Sequence, residues 1–114
     1  MEIEIALKRL SALAQQSRLE VFRRLVQAGA EGLAAGDLAR AVDIPANTLS
    51  AQLVILVNAG LARSRREGRS IIYSADYDGM GALLVFLMED CCQNRAEVCG
   101  PLAAAVTRPS CNPV

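Results

Sequence analysis

The sequence predicts a mainly α-helical fold closed by one β-hairpin, and three observations carry the prediction. Apolar residues recur at spacings of three and four through most of the first half of the chain, which is the helical period. A tight break at Asp43-Ile44-Pro45 separates a short helical stretch from a longer one. Two short strand-like stretches, 61–65 and 70–74, then flank Glu67-Gly68. Two helices across a tight turn, followed by a hairpin, make a winged helix-turn-helix.

Ile3, Ala6, Leu7, Leu10, Leu13 and Ala14 form the apolar stripe of a first amphipathic helix. Ser17 with Glu20 three residues on has the pattern of a capping box for a second. Leu19, Phe22, Leu25 and Val26 are its expected buried face, and Gly29 its stop. The stretch 32–36 reads as a turn, and 37–42 as a short third helix. Pro45 then opens a fourth helix. Leu49, Leu53, Leu56 and Val57 line its inner face, and Asn58-Ala59-Gly60 ends it. In the hairpin, Gly68 supplies the positive φ that the turn needs. From about Asp76 a last helix carries Met80, Leu83, Leu84, Leu87 and Met88 toward Cys91 and Cys92. Residues 1–100 are read as one domain, and 101–114, with Pro109 and Pro113, as a flexible tail.

At 114 residues and 53% apolar, the chain has ample material for one small core. Its 12 basic and 12 acidic residues cancel, so the molecule as a whole is no polycation. The distribution matters more. Arg63, Arg65, Arg66 and Arg69 stand against Glu67 alone in the hairpin, and Arg supplies 11 of the 12 basic residues. Its planar fork matches phosphate. The opening Met-Glu-Ile-Glu lacks the basic and apolar regions of a signal peptide, and the longest apolar run, 82–88, is too short to span a bilayer. A cytoplasmic protein with reduced thiols and no membrane partner is expected.

Amide and hydroxyl side chains near the start of a groove-reading helix present hydrogen-bonding groups to base edges. Asn47, Thr48, Ser50 and Gln52 are the candidates here, with Ala51 among them. Arg65, Arg66 and Arg69 are the candidates for phosphate or minor-groove contact. Double-stranded operator DNA is the expected partner.

Cys91 and Cys92 are adjacent, Cys99 follows across a short polar spacer, and the chain has no histidine. Thiols without imidazole offer a metal only sulfur, which selects soft, thiophilic ions. Adjacent cysteines are awkward to bridge to each other, so metal binding is favoured over disulfides. Cys111, in the tail, reads as incidental.

Four segments in register resemble the ArsR/SmtB family of metal-responsive bacterial repressors. Leu13-Ala14-Gln15-Gln16-Ser17-Arg18-Leu19 resembles that family's entry to its second helix. Ala46-Asn47-Thr48-Leu49-Ser50-Ala51-Gln52-Leu53 is similar to its recognition segment, Asn58-Ala59-Gly60-Leu61 to its run into the wing, and Arg65-Arg66-Glu67-Gly68-Arg69 to its wing turn. The departures are specific. Gln52 stands where many members have histidine. Ala34 and Gly36 occupy the positions of one subgroup's Cys-x-Cys arsenic site. Without histidine, and with only Asp76 and Asp78 near the start of the last helix, the family's zinc site is not supported.

What remains is the C-terminal cluster, which is similar to that of another arsenic-sensing subgroup. The resemblance implies a homodimer built from the first and last helices, through Leu7, Leu10, Met80, Leu83, Leu84 and Leu87. It also implies a repressor, needing no cofactor, that releases its operator when trivalent arsenic or antimony binds Cys91, Cys92 and Cys99. A rival reading keeps DNA binding but makes the cysteines a redox or persulfide sensor, for which two thiols suffice. A thiol reductase is disfavoured because Cys91 and Cys92 would lie at a helix's negative end, which opposes thiolate formation. No other acid–base constellation suggests an enzyme.

Overall fold

The computed structural model describes residues 1–88. Cys91, Cys92, Cys99 and Cys111, and the expected tail, lie outside the described residues. Five helices are described, α1 (Ile3–Leu13), α2 (Gln16–Ala28), α3 (Ala35–Val42), α4 (Ala46–Asn58) and α5 (Tyr77–Met88). With them stand three strands, β1 (Leu33–Ala34), β2 (Ala62–Glu67) and β3 (Ser70–Ala75). A 3₁₀ turn, Gly29–Glu31, links α2 to β1. The chain divides into a compact unit, Met1–Leu83, and a second that begins at Leu84 within α5.

The core of the first unit is aliphatic. Val21, Phe22 and Leu25 of α2 pack with Leu38 of α3, with Leu49, Leu53 and Leu56 of α4, and with Leu61 at the entry to β2. The α4 stripe is the one its spacing predicts. On α2 the buried row is Val21, Phe22 and Leu25, while Leu19 and Val26 are exposed. The helix thus buries a face turned from the expected one, and its Arg18 reaches the Ala12 carbonyl and the Gln52 side chain. Its cap also differs. Gln15 is the extended N-cap residue and its side chain accepts the Arg18 N–H at 2.9 Å, so the capping box at Ser17 does not form.

Two connections fix α4. Asp43 takes a left-handed conformation (φ 55°) at the end of α3, and extended Pro45 starts α4 two residues later. At the other end of α4, the Leu61 N–H donates to the Leu56 carbonyl and the Gly60 N–H to that of Val57, both at 3.0 Å, which is a Schellman closure. It turns the chain directly into β2.

The sheet is antiparallel in the order β1-β3-β2. Glu67 pairs with Ser70, so the hairpin loop is Gly68-Arg69, one residue later than the sequence suggests. Gly68 has φ 62°, the first-position glycine of a II′-type turn. β1 was not expected from the sequence, where 32–36 reads as a turn. It forms because Gly32 (φ 72°) lies so close to the Tyr73 carbonyl that a Cβ there would collide with it. Only glycine lets the chain come alongside β3 at that point.

α5 enters under tight constraint. Asp76 Oδ1 accepts the Gly79 N–H at 2.9 Å. Arg9 of α1 donates through Nε to the Ala59 carbonyl (2.9 Å) and through Nη1 to that of Gly79 (2.6 Å). One guanidinium thus ties α1 to the end of α4 and the start of α5. Leu83 is 1% exposed and Met80 packs on the core, so these two residues do not offer the free interface the sequence reading assigned them. Ile3, Leu7 and Leu10 of α1 are exposed, and so are Leu84, Val85 and Leu87 of α5. No described helix is long and apolar enough to cross a membrane.

Candidate nucleic-acid interface

α4 buries Leu49, Leu53 and Leu56 and therefore turns Asn47, Ala51, Val54 and Asn58 outward, at spacings of four, three and four. Thr48 and Ser50 flank that row and are also exposed. The outer face therefore combines amide and hydroxyl groups with two small apolar side chains suited to a thymine methyl. Val54 was missed by the sequence reading, although its spacing from Asn47 and Ala51 places it on their row. Local bonds already engage part of this set. Asn47 Oδ1 accepts the Thr48 N–H at 3.0 Å, and Ser50 Oγ donates to the Ala46 carbonyl at 3.0 Å. Gln52 is half-buried at the edge of the row, and its Oε1 accepts from Arg18 Nη1 at 3.1 Å.

The wing separates its arginines by strand alternation. Arg63, Arg65 and Glu67 share one face of β2, and Ser64 and Arg66 the other. On the first face both cations are engaged. Arg63 bridges Asp76 (3.1 Å) and Asp78 (3.2 Å). Arg65 donates to Glu67 (2.6 Å) and to the carbonyls of Glu31 (2.7 Å) and Ala30 (3.4 Å). Arg65, counted among the phosphate candidates in the sequence, is thus a brace between β2 and the 3₁₀ turn. Arg66 and Arg69 make no side-chain hydrogen bond or ion pair among the described residues. They are the cations the wing tip offers to solvent. A cleft of about 430 Å³ on the braced face is lined by Arg63, Arg65, Tyr77 and Asp78, and its cations are the ones already engaged.

Burial alone would raise the Asp76 pKa, but the Gly79 N–H and the guanidinium groups of Arg63 and Arg9 outweigh it and hold the carboxyl below the usual aspartate range. Its hydrogen bond in turn raises Arg63. A depressed carboxylate pKa contributes stability above the unfolded value, and that contribution is lost as pH falls through the folded one. Asp76→Asn keeps an acceptor for Gly79 and loses the charge. Urea midpoints measured at pH 7 and then below about pH 4 should fall less steeply for this variant than for wild type. Equal slopes would mean the Asp76 charge adds nothing.

Among the described residues no three His, Cys, Asp or Glu side chains gather into a metal-binding group. The sequence-predicted metal ligands Cys91, Cys92 and Cys99 lie outside the described residues.

A family described as a helix-turn-helix domain matches residues 13–65, the span from the end of α1 to the middle of β2. The solved structure of NolR from Sinorhizobium fredii is 36% identical, with a TM-score of 0.62, and the match covers 76% of this chain and 84% of that one. A homodimeric winged helix-turn-helix DNA-binding domain from Mycobacterium bovis, described as a possible ArsR-family transcriptional regulator, is 26% identical with a TM-score of 0.63, covering 75% and 78%. The chain carries a helix-turn-helix domain and is similar to regulators of the ArsR family. An ArsR-like transcriptional regulator from Rhodococcus sp. RHA1 has the same fold at 24% identity, with a TM-score of 0.68 and coverage of 91% and 92%. No curated protein sequence matches the chain. In this helix-turn-helix protein the matched span holds α2, α3, α4 and the first half of the wing, the elements that carry the candidate interface.

Proposed function

We propose that this protein is a homodimeric transcriptional repressor that seats α4 in the major groove of its operator and contacts flanking phosphates with the wing tip. The observation that carries the reading is the pairing of an outward α4 face bearing Asn47, Thr48, Ser50 and Asn58 with two cations at the adjacent tip, Arg66 and Arg69, that make no ion pair among the described residues. Exposed apolar rows on α1 and α5 support a dimer, because such rows are costly on so small a protein. A two-fold dimer fits a palindromic operator.

The proposal extends to the inducer. Three thiols within nine positions (91, 92 and 99), in a chain with no histidine, suit trivalent arsenic or antimony, which take three sulfur donors in a pyramid. The support for this part is the donor chemistry and spacing in the sequence. Neither an enzymatic step nor a resident cofactor is part of the reading.

The test of DNA recognition is a salt titration. Selected operator DNA should bind with a steep logarithmic dependence on salt, about −0.9 per phosphate neutralised. Arg66→Ala with Arg69→Ala removes four cations per dimer and should lessen the slope by roughly 3 to 4 units on that scale. Arg63→Ala should leave the slope near wild type, since that side chain is held by Asp76 and Asp78. An unchanged slope in the double variant would exclude the wing tip from the DNA.

A further inference from the structure

Arg18 lies between three helices. Its Nε donates to the Ala12 carbonyl at 2.7 Å and its Nη2 approaches that of Ser11 at 3.5 Å. Both carbonyls lie in the last turn of α1, whose negative dipole end favours a cation, although that of Ser11 also accepts the Ala14 N–H at 3.2 Å. The remaining arm, Nη1, donates to Gln52 Oε1 at 3.1 Å. A guanidinium has donors only, so the amide oxygen of Gln52, not its nitrogen, is the atom turned toward Arg18.

We infer that Arg18 sets the base preference of Gln52, by holding its oxygen inward and presenting its N–H groups as donors to an acceptor-rich base edge, foremost guanine. This inference rests on the DNA-binding reading and deepens it. A glutamine that reads adenine uses both ends of its amide, donating to N7 and accepting from the N6 amino group. Here the accepting end is taken by Arg18 of α2. The outward end matches guanine N7 and O6, or thymine O4, and opposes the N4 amino donor of cytosine. Arg18 is a positioning residue, since it acts through Gln52 and is itself half-buried behind α4.

A purely structural role for Arg18 would lower affinity for every sequence alike. A positioning role changes which base is preferred at one operator position in each half-site. The experiment is selection from a randomised duplex library with the full chain, followed by binding measurements with each of the four base pairs at every selected position. Gln52→Ala identifies the position read by this side chain, as the one where discrimination collapses. In wild type that position should hold guanine or thymine, preferred over cytosine by roughly fivefold or more. Arg18→Lys keeps a cation but loses the fork, freeing the amide to turn, and should raise adenine relative to guanine at that position alone. Gln52→Glu, made with Arg18 intact, replaces the outward donors with an acceptor and should shift preference to cytosine. This second variant keeps the inference testable should Arg18 prove essential for folding.

Adenine preferred by wild type at that position, or preferences left unchanged by both Arg18→Lys and Gln52→Glu, would overturn the inference while DNA binding stands. Failure of the wild type to enrich any sequence would overturn the DNA-binding reading, and this inference with it.

Discussion

Leu7→Glu and Leu84→Glu should each yield a folded monomer with operator affinity reduced by at least about 100-fold. Leu7 is 59% exposed and Leu84 50% exposed, so neither change opens a hole in the protomer's own core. Each puts a carboxylate into the apolar row that the proposed dimer would desolvate, and an unpaired buried charge is costly. The loss in affinity follows from geometry. Two linked half-site contacts exceed one by roughly 10² to 10⁴ in apparent affinity, and a monomer keeps only one. Leu83→Ala is the contrasting control. At 1% exposure it lies inside the protomer, so it should lower stability by roughly 2–5 kcal/mol without dissociating what remains folded. Sedimentation at micromolar protein, with urea unfolding of the same samples, separates the two outcomes. Wild type that sediments as a monomer would remove the dimer from the proposal.

The contrast between Leu83 and Leu84 shows where the sequence is legible and where it is not. Spacing predicts that α5 is a helix and that its apolar residues seek cover. It does not say which cover, because α5 is apolar around most of its circumference and one residue of rotation moves a side chain by about 100°. α4 was legible because Leu49, Leu53 and Leu56 recur at helical spacing, and Pro45 and Gly60 mark both ends. The hairpin was legible through Gly68.

The division of labour among the wing arginines was not. Alternation puts Arg63 and Arg65 on one face, but their partners Ala30, Glu31, Asp76 and Asp78 come from elements that only the tertiary fold brings near. β1 depends on the close passage of Gly32 past Tyr73, which has no local signal. Arg18 was visible in the sequence as part of a family-like segment, and its contact with Gln52 spans 34 positions.

The largest effect on regulation should come from the cysteines. Replacing any one of Cys91, Cys92 or Cys99 with serine should leave operator binding intact and abolish, or greatly weaken, release by trivalent arsenic. Serine keeps the size of the side chain but is a poor ligand for a soft ion, and a pyramid short of one sulfur loses its closure. Cys111→Ser should release like wild type. In wild type the metalloid must bind the DNA-free conformation more tightly than the DNA-bound one, because a ligand with equal affinity for both shifts nothing. Allosteric couplings are typically about 1–3 kcal/mol, so saturating arsenic should lower operator affinity by roughly 5- to 150-fold. Zinc should do little, since three thiols without imidazole leave its tetrahedron one protein ligand short. The measurement is operator binding by fluorescence anisotropy, under reducing conditions, across a panel of trivalent arsenic, antimony and zinc, with a persulfide donor and an oxidant as separate arms. Release of the Cys99→Ser protein by arsenic at the wild-type concentration would refute the three-thiol site. Release by the persulfide donor or the oxidant, with arsenic inert, would make a two-thiol redox sensor the correct description of the same cluster.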